Sequence, residues 1–168
     1  MADRTLMIES LSFTAVADAA NFTDNGYAAL QGGAALEVNK IKETWLGGLA
    51  TASAVVRLIL SLDLVVGATL TTLVSPNANG PNHPSANDPV TATGFIASTT
   101  KPQRASSVAV GKMNFGFQAF GGGVRWQAPV DGEYFMVGNG VSAGEASISA
   151  FTGSAAGPCG MHMIYETL

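Results

Sequence analysis

The stretch that most constrains the fold is residues 112–137, KMNFGFQAFGGGVRWQAPVDGEYFMV, where three β signals follow one another with little room between them. Met113, Phe115, Phe117 and Ala119 fall on one face of a strand, and Lys112, Asn114, Gln118 and Phe120 on the other, with Gly116 interrupting the second face. A two-residue period of this kind belongs to a strand buried on one side. Gly121-Gly122-Gly123 frees the backbone for a turn or bulge, after which Val124 and Trp126 resume the apolar side. Pro129-Val130-Asp131-Gly132 closes that strand, and its Asp-Gly dipeptide predicts a tight turn with residues 134–137 returning antiparallel. The whole stretch reads as the centre of an antiparallel sheet, and it carries no catalytic signature.

The rest of the chain repeats the pattern. Over residues 5–16, Leu6 and Ile8 share one face while Leu11 and Phe13 take the next register, which predicts a bulge or bend near Glu9-Ser10. Asn25-Gly26 predicts a turn. Residues 34–44 read as a strand; a helix over 37–45 competes through the propensities of Leu36, Lys40 and Glu43 and is the weaker reading. Residues 54–62 (AVVRLILSL) and 64–74 (LVVGATLTTLV) read as buried strands rich in residues that suit a pleated surface. Further strands are expected over 90–98, 108–120, 146–151 and 161–166. Roughly eight to ten short strands at close spacing with no long helix predict an all-β antiparallel sandwich of jelly-roll type in a single domain.

Between these runs, residues 75–89 form a polar segment with four prolines, which cannot donate into a ladder. A long exposed loop is expected there, and such loops commonly carry function. Pro76, Asn79, Pro81, His83, Pro84 and Asp88 are accordingly the candidate subunit contacts.

Composition narrows the function classes. The chain has 168 residues, of which 47% are hydrophobic, enough for one core. Only 12% are charged, against about 25% in ordinary soluble domains. So bland a surface points to copies of the chain covering one another, a homo-oligomer of trimer size or larger. The net charge is −4, and the eight basic residues are scattered from Arg4 to Arg125, which counts against direct nucleic-acid binding. Asp3, Arg4 and Glu9 interrupt the start where a signal peptide would be apolar, and Asn21-Phe22-Thr23 is therefore read as a chance glycosylation match. The most apolar window, 45–66, carries Arg57, Asp63 and Gly47-Gly48 and is not read as a membrane span.

Chemistry has few places to reside. Gly140-Val141-Ser142-Ala143-Gly144 matches GxSxG with Glu145 and His162 downstream, the order of a nucleophile-elbow hydrolase, but the elbow needs a strand-to-helix turn and the pattern here runs from turn to strand. Cys159 and His162 have the spacing of half a zinc site, with His83 the only other soft ligand. The single cysteine excludes a disulfide within the chain. Asp131 and Glu133 flank a turn, and Glu37 and Glu43 are too far apart along a strand to act as a pair. No catalytic residue, cofactor or metal is expected. No glycosidase pair can be named, although Trp45, Trp126, Tyr134 and Tyr165 are aromatic enough to stack on a sugar, and a buried core position is the default for Trp126 and Phe117. A carbohydrate-binding module is the alternative function, since lectins share the sandwich fold.

Leu11-Ser12-Phe13-Thr14-Ala15, residues 119–126 (AFGGGVRW), residues 144–153 (GEASISAFTG) and the closing Met163-Ile164-Tyr165-Glu166 resemble segments of small β proteins of virus particles rich in Gly, Ala and Thr. The chain as a whole resembles jelly-roll virion proteins: capsid coats, or the cement and decoration proteins of tailed-phage heads. The resemblance implies a virion protein assembled in the host cytoplasm, without an active site, whose loops and termini bind capsid neighbours. The absence of a basic arm favours an outer head protein over an RNA-packaging coat.

Overall fold

A computed structural model describes residues 4–15, 27–31, 37–63, 71–72, 78–81, 93–96, 110–137, 145–150 and 157–168. They form twelve strands: β1 (Arg4–Ala15), β2 (Ala28–Gln31), β3 (Val38–Gly48), β4 (Val55–Asp63), β5 (Thr71–Thr72), β6 (Ala78–Pro81), β7 (Thr93–Ile96), β8 (Val110–Gln118), β9 (Gly123–Gln127), β10 (Tyr134–Val137), β11 (Glu145–Ala150) and β12 (Gly157–Thr167). Residues 37–45, where a helix competes on propensity, are strand, because alternate burial of Asn39 and Ile41 against Val38 and Lys40 rewards the pleat over the helix.

All pairings are antiparallel. The first sheet runs β10-β3-β12-β1-β6, with β9 also pairing β3, and the second runs β5-β7-β2-β11-β4-β8. The pairing is nested: β1 with β12, β2 with β11, β3 with both β9 and β10, and β4 with β8. The chain is therefore one long antiparallel hairpin rolled so that its successive pairs alternate between two sheets, the connectivity of a jelly roll. Between β4 and β8 in the chain, the described residues 71–72, 78–81 and 93–96 extend the sheets: β6 pairs β1, while β7 pairs β2 and β5. Both sheet edges on that side thereby gain a partner strand.

The core lies between the sheets. The first contributes Phe13, Ile41, Leu46, Met161, Met163 and Tyr165, and the second Leu30, Leu58, Leu60, Phe115, Phe117 and Ile148. Val56, Leu58, Leu60, Phe115, Phe117 and Ile148 are buried, and Met113, Val124 and Trp126 pack against them half-buried. On β11 the polar face is buried as well, Ser147 and Ser149 being fully covered, so the second sheet is enclosed at its centre on both sides.

Two expectations are corrected. Residues 112–137 are not the centre of one sheet: β8 is the edge of the second sheet, and β9 and β10 share an edge of the first. Nor do β9 and β10 form a hairpin. They lie end to end on β3, β10 opposite residues 38–41 and β9 opposite residues 43–47. The turn does form, with Gly132 N donating to Pro129 O at 2.9 Å and Asp131 at φ 60°. It makes a step along β3 and no reversal, because Ala128 N already donates to Lys42 O at 2.8 Å and holds the chain to β3. Trp126 and Tyr134 stack across the step, with ring centroids 5.0 Å apart.

The bulge foreseen near Glu9-Ser10 falls where the register of β1 against β12 shifts, between Ser10 and Phe13. The strand expected over 64–74 is described only at Thr71–Thr72, and most of the loop expected over 75–89 also lies outside the described residues. Within that loop, residues 78–81 are strand β6. Proline tolerates this position because Pro81 ends an edge strand, where one missing donor breaks no ladder.

Candidate interaction surfaces

Of the predicted subunit contacts, Asn79 and Pro81 belong to β6 at the edge of the first sheet, while Pro76, His83, Pro84 and Asp88 lie outside the described residues. Two other surfaces stand out; of their residues the sequence singled out Trp45, without the neighbours that surround it.

The first is one end of the sandwich. The β3–β4 connection, residues 49–54, and the β8–β9 connection, residues 119–122, are tied by backbone hydrogen bonds: Gly48 N to Gly122 O at 2.7 Å, Ala50 N to Ala119 O at 2.9 Å and Ala119 N to Ala54 O at 2.8 Å. Leu49 N donates to Pro158 O of β12 at 2.9 Å. On this fixed frame Leu49, Val55 and Phe120 stand about half exposed, at 51%, 48% and 62%. No charged residue occurs in residues 48–55 or 118–123. The sequence signal was Phe120, an aromatic residue on the polar side of its strand's alternation.

The second is the outer face of the first sheet. β3 carries one extra residue against β12: Tyr165 pairs Ile41 and Ile164 pairs Glu43, so Lys42 is bulged. A bulge re-aims side chains, and here Lys42 and Glu43 both reach outward. Lys42 Nζ lies 2.8 Å from Glu166 Oε2 and 3.2 Å from Glu133 Oε1. Its hydrogen bond to Glu166 raises the Lys42 ammonium above the ordinary lysine value. Arg125 Nε and Nη2 each donate to Glu43 at 2.7 Å, a bidentate pair. Lys40 Nζ sits 5.6 Å from the centre of the half-exposed Phe135 ring. Beside the Arg125–Glu43 pair, Trp45 is 42% exposed, paired with Arg125 on one side and His162 on the other.

The chemical motifs fare differently. Cys159 points into the core, fully buried, its Sγ 3.6 Å from Gly157 O, whereas His162 lies on the opposite face of β12. Three residues apart on a strand they face opposite ways and cannot share a metal. Among the described residues no group of three or more His, Cys, Asp or Glu is placed to hold a metal ion. Ser142 lies outside the described residues; Glu145 opens β11 in the second sheet, while His162 is in the first. On the outer face of the second sheet, Arg57, Asn114 and Gly116 line an open depression of about 250 Å³. Among the described residues no helix is long and apolar enough to cross a membrane.

No protein-family model, curated protein or solved structure matches this chain.

Proposed function

We propose that this chain is a structural protein of a virus particle, self-assembling into a trimer or larger symmetric oligomer and binding capsid neighbours as a coat, cement or decoration protein. The observation that carries the reading is the uncharged end of the sandwich. Leu49 and Phe120 are held out on two connections whose backbones are bonded to each other, and Val55 on the first residue of β4, so little ordering is left to do when a neighbour covers them. An uncharged end with three half-exposed apolar side chains, on a chain with 12% charged residues, is a surface suited to being covered. Rolled double-Greek-key sandwiches serve as viral capsid domains, which supports the same reading.

The test is the mass and shape of the purified protein by light scattering and negative-stain microscopy, followed by its presence in purified particles. A closed oligomer that Phe120→Ser dissociates without unfolding is the expected result. A strict monomer that never joins particles ends the reading.

A further inference from the structure

We infer that the outer face of the first sheet carries a glycan-binding subsite centred on Trp45, selective for uncharged pyranose sugars. The inference does not depend on the capsid reading, since the subsite would serve a virion protein or a free-standing module alike.

The floor of the subsite is a row of glycines in register across three neighbouring strands, Gly160 on β12, Gly47 on β3 and Gly123 on β9. The row spans two inter-strand spacings, about 10 Å. The Trp45 side chain, two residues before Gly47 on the same face, lies down over Gly47 and beside Gly123. A Cβ added at Gly47 would meet the six-membered ring, with Cζ2 at 2.8 Å and Cζ3 at 3.1 Å, and one added at Gly123 would lie 3.6 Å from Nε1. One face of the indole is thus packed on bare backbone. With 42% of the residue still exposed, its other face is presented to solvent.

Polar groups flank the ring at the height of its neighbours. Arg125 spends Nε and Nη2 on Glu43 and keeps Nη1 as a donor, while each Glu43 oxygen retains a second lone pair. On the other side of Trp45, His162 Nε2 is buried and has no hydrogen-bond partner among the described residues, so the polar contacts open to a ligand are those of Arg125 and Glu43. A flat apolar plate beside a few fixed donors and acceptors matches a pyranose, which offers a face of C–H bonds and a rim of hydroxyls. Charge selects among sugars. Lys40, Lys42 and Arg125 are matched on this face by Glu43, Glu133 and Glu166, so the described side chains around the plate sum to zero and give sialylated or sulfated sugars no counter-charge.

The experiment combines a glycan array of neutral, sialylated and sulfated glycans with fluorescence titration by methyl galactoside, methyl glucoside and lactose. Wild-type protein should bind neutral glycans with dissociation constants in the millimolar range and with a change in tryptophan emission. Trp45→Ala should lose binding at least tenfold. Gly47→Ala keeps the indole but lifts it off the strand, because the new methyl group would occupy the ring's place, and should lose binding comparably with an unchanged circular dichroism spectrum. If both variants fail to fold, the wild type still decides: of the two indole N–H signals in its NMR spectrum, sugar should shift that of Trp45 and leave that of Trp126. No binding by the wild type, binding only to anionic glycans, binding unaffected by either folded variant, or a shift of Trp126 alone overturns the inference. So does a Trp45→Ala protein that changes oligomer size while the wild type binds no sugar, since the face is then an interface between copies.

Discussion

Phe13 of β1 and Tyr27, just ahead of β2, stack with ring centroids 4.9 Å apart and planes 18° from parallel. One ring belongs to each sheet, both are fully buried, and Tyr27 N donates to Ile148 O of β11 at 2.7 Å. The pair pins the first crossing between the sheets. Phe13→Ala should cost about 3–5 kcal/mol in equilibrium denaturant unfolding, the usual loss for a buried aromatic side chain. A loss under about 1 kcal/mol would show that the sheets are not closed at this point.

Two glycines on strands that meet across the interior should respond in opposite senses to alanine. A methyl group at Gly48 would collide with the Ala119 backbone carbonyl, which is itself held by Ala50 N, so neither side can yield. Gly48→Ala should cost about 3 kcal/mol and disorder the uncharged end. At Gly116 a methyl group meets nothing within 4 Å, and Gly116→Ala should stabilise by about 0.5–1 kcal/mol, because alanine leaves the unfolded chain less backbone freedom to lose. Thermal melts of both variants settle the matter, and equal effects would contradict the close approach.

The Lys42 cluster predicts an acid limb in stability. A backbone hydrogen bond at Glu133, and then the Lys42 ammonium, hold its carboxyl below the ordinary glutamate value of 4.5. A carboxylate lowered in the folded state contributes fully above that value and loses its contribution as pH falls through the folded one. Lys42 is raised, so its contribution is complete below 10.5 and lost only as pH climbs past that. The unfolding temperature should therefore be level through neutral pH and fall below about pH 4.5, with Glu133→Gln flattening the fall. An unaltered acid limb in that variant would remove the cluster from the account.

Burial pushes the Cys159 thiol up to about 11 from an ordinary 9.0. Between those values an unfolded chain releases a proton that the folded chain keeps, so stability declines as pH rises through this range. At neutral pH the thiol should ignore disulfide reagents until the protein unfolds, with reaction rates that follow denaturant unfolding. Rapid labelling of native protein would mean that Cys159 is not in the core.

Much of the local structure was legible in the chain. The alternation of Phe115 and Phe117 with Asn114 and Gln118 settled which side of β8 is buried, because side chains a strand apart in phase cannot share a face. The apolar run over 54–62 likewise marked a buried strand, and Val56, Leu58 and Leu60 lie inside. Partner choice was not legible. The Asp-Gly turn promised a hairpin between β9 and β10, yet both pair with β3, whose eleven residues offer room for two short strands in line. The bulge at Lys42 was equally hidden, since it exists only as a register shift against β12, far away in sequence. The surfaces followed suit: the Trp45 plate needs Gly47 and Gly123 brought side by side from two separate strands. By itself the sequence determined strand phase, burial and the all-β class, which rest on periodicity within a few residues. Which strands lie side by side, and therefore what stands beside Trp45 or Phe120, was decided by tertiary structure, because ladder hydrogen bonds are alike for every residue and only packing between sheets distinguishes one pairing from another.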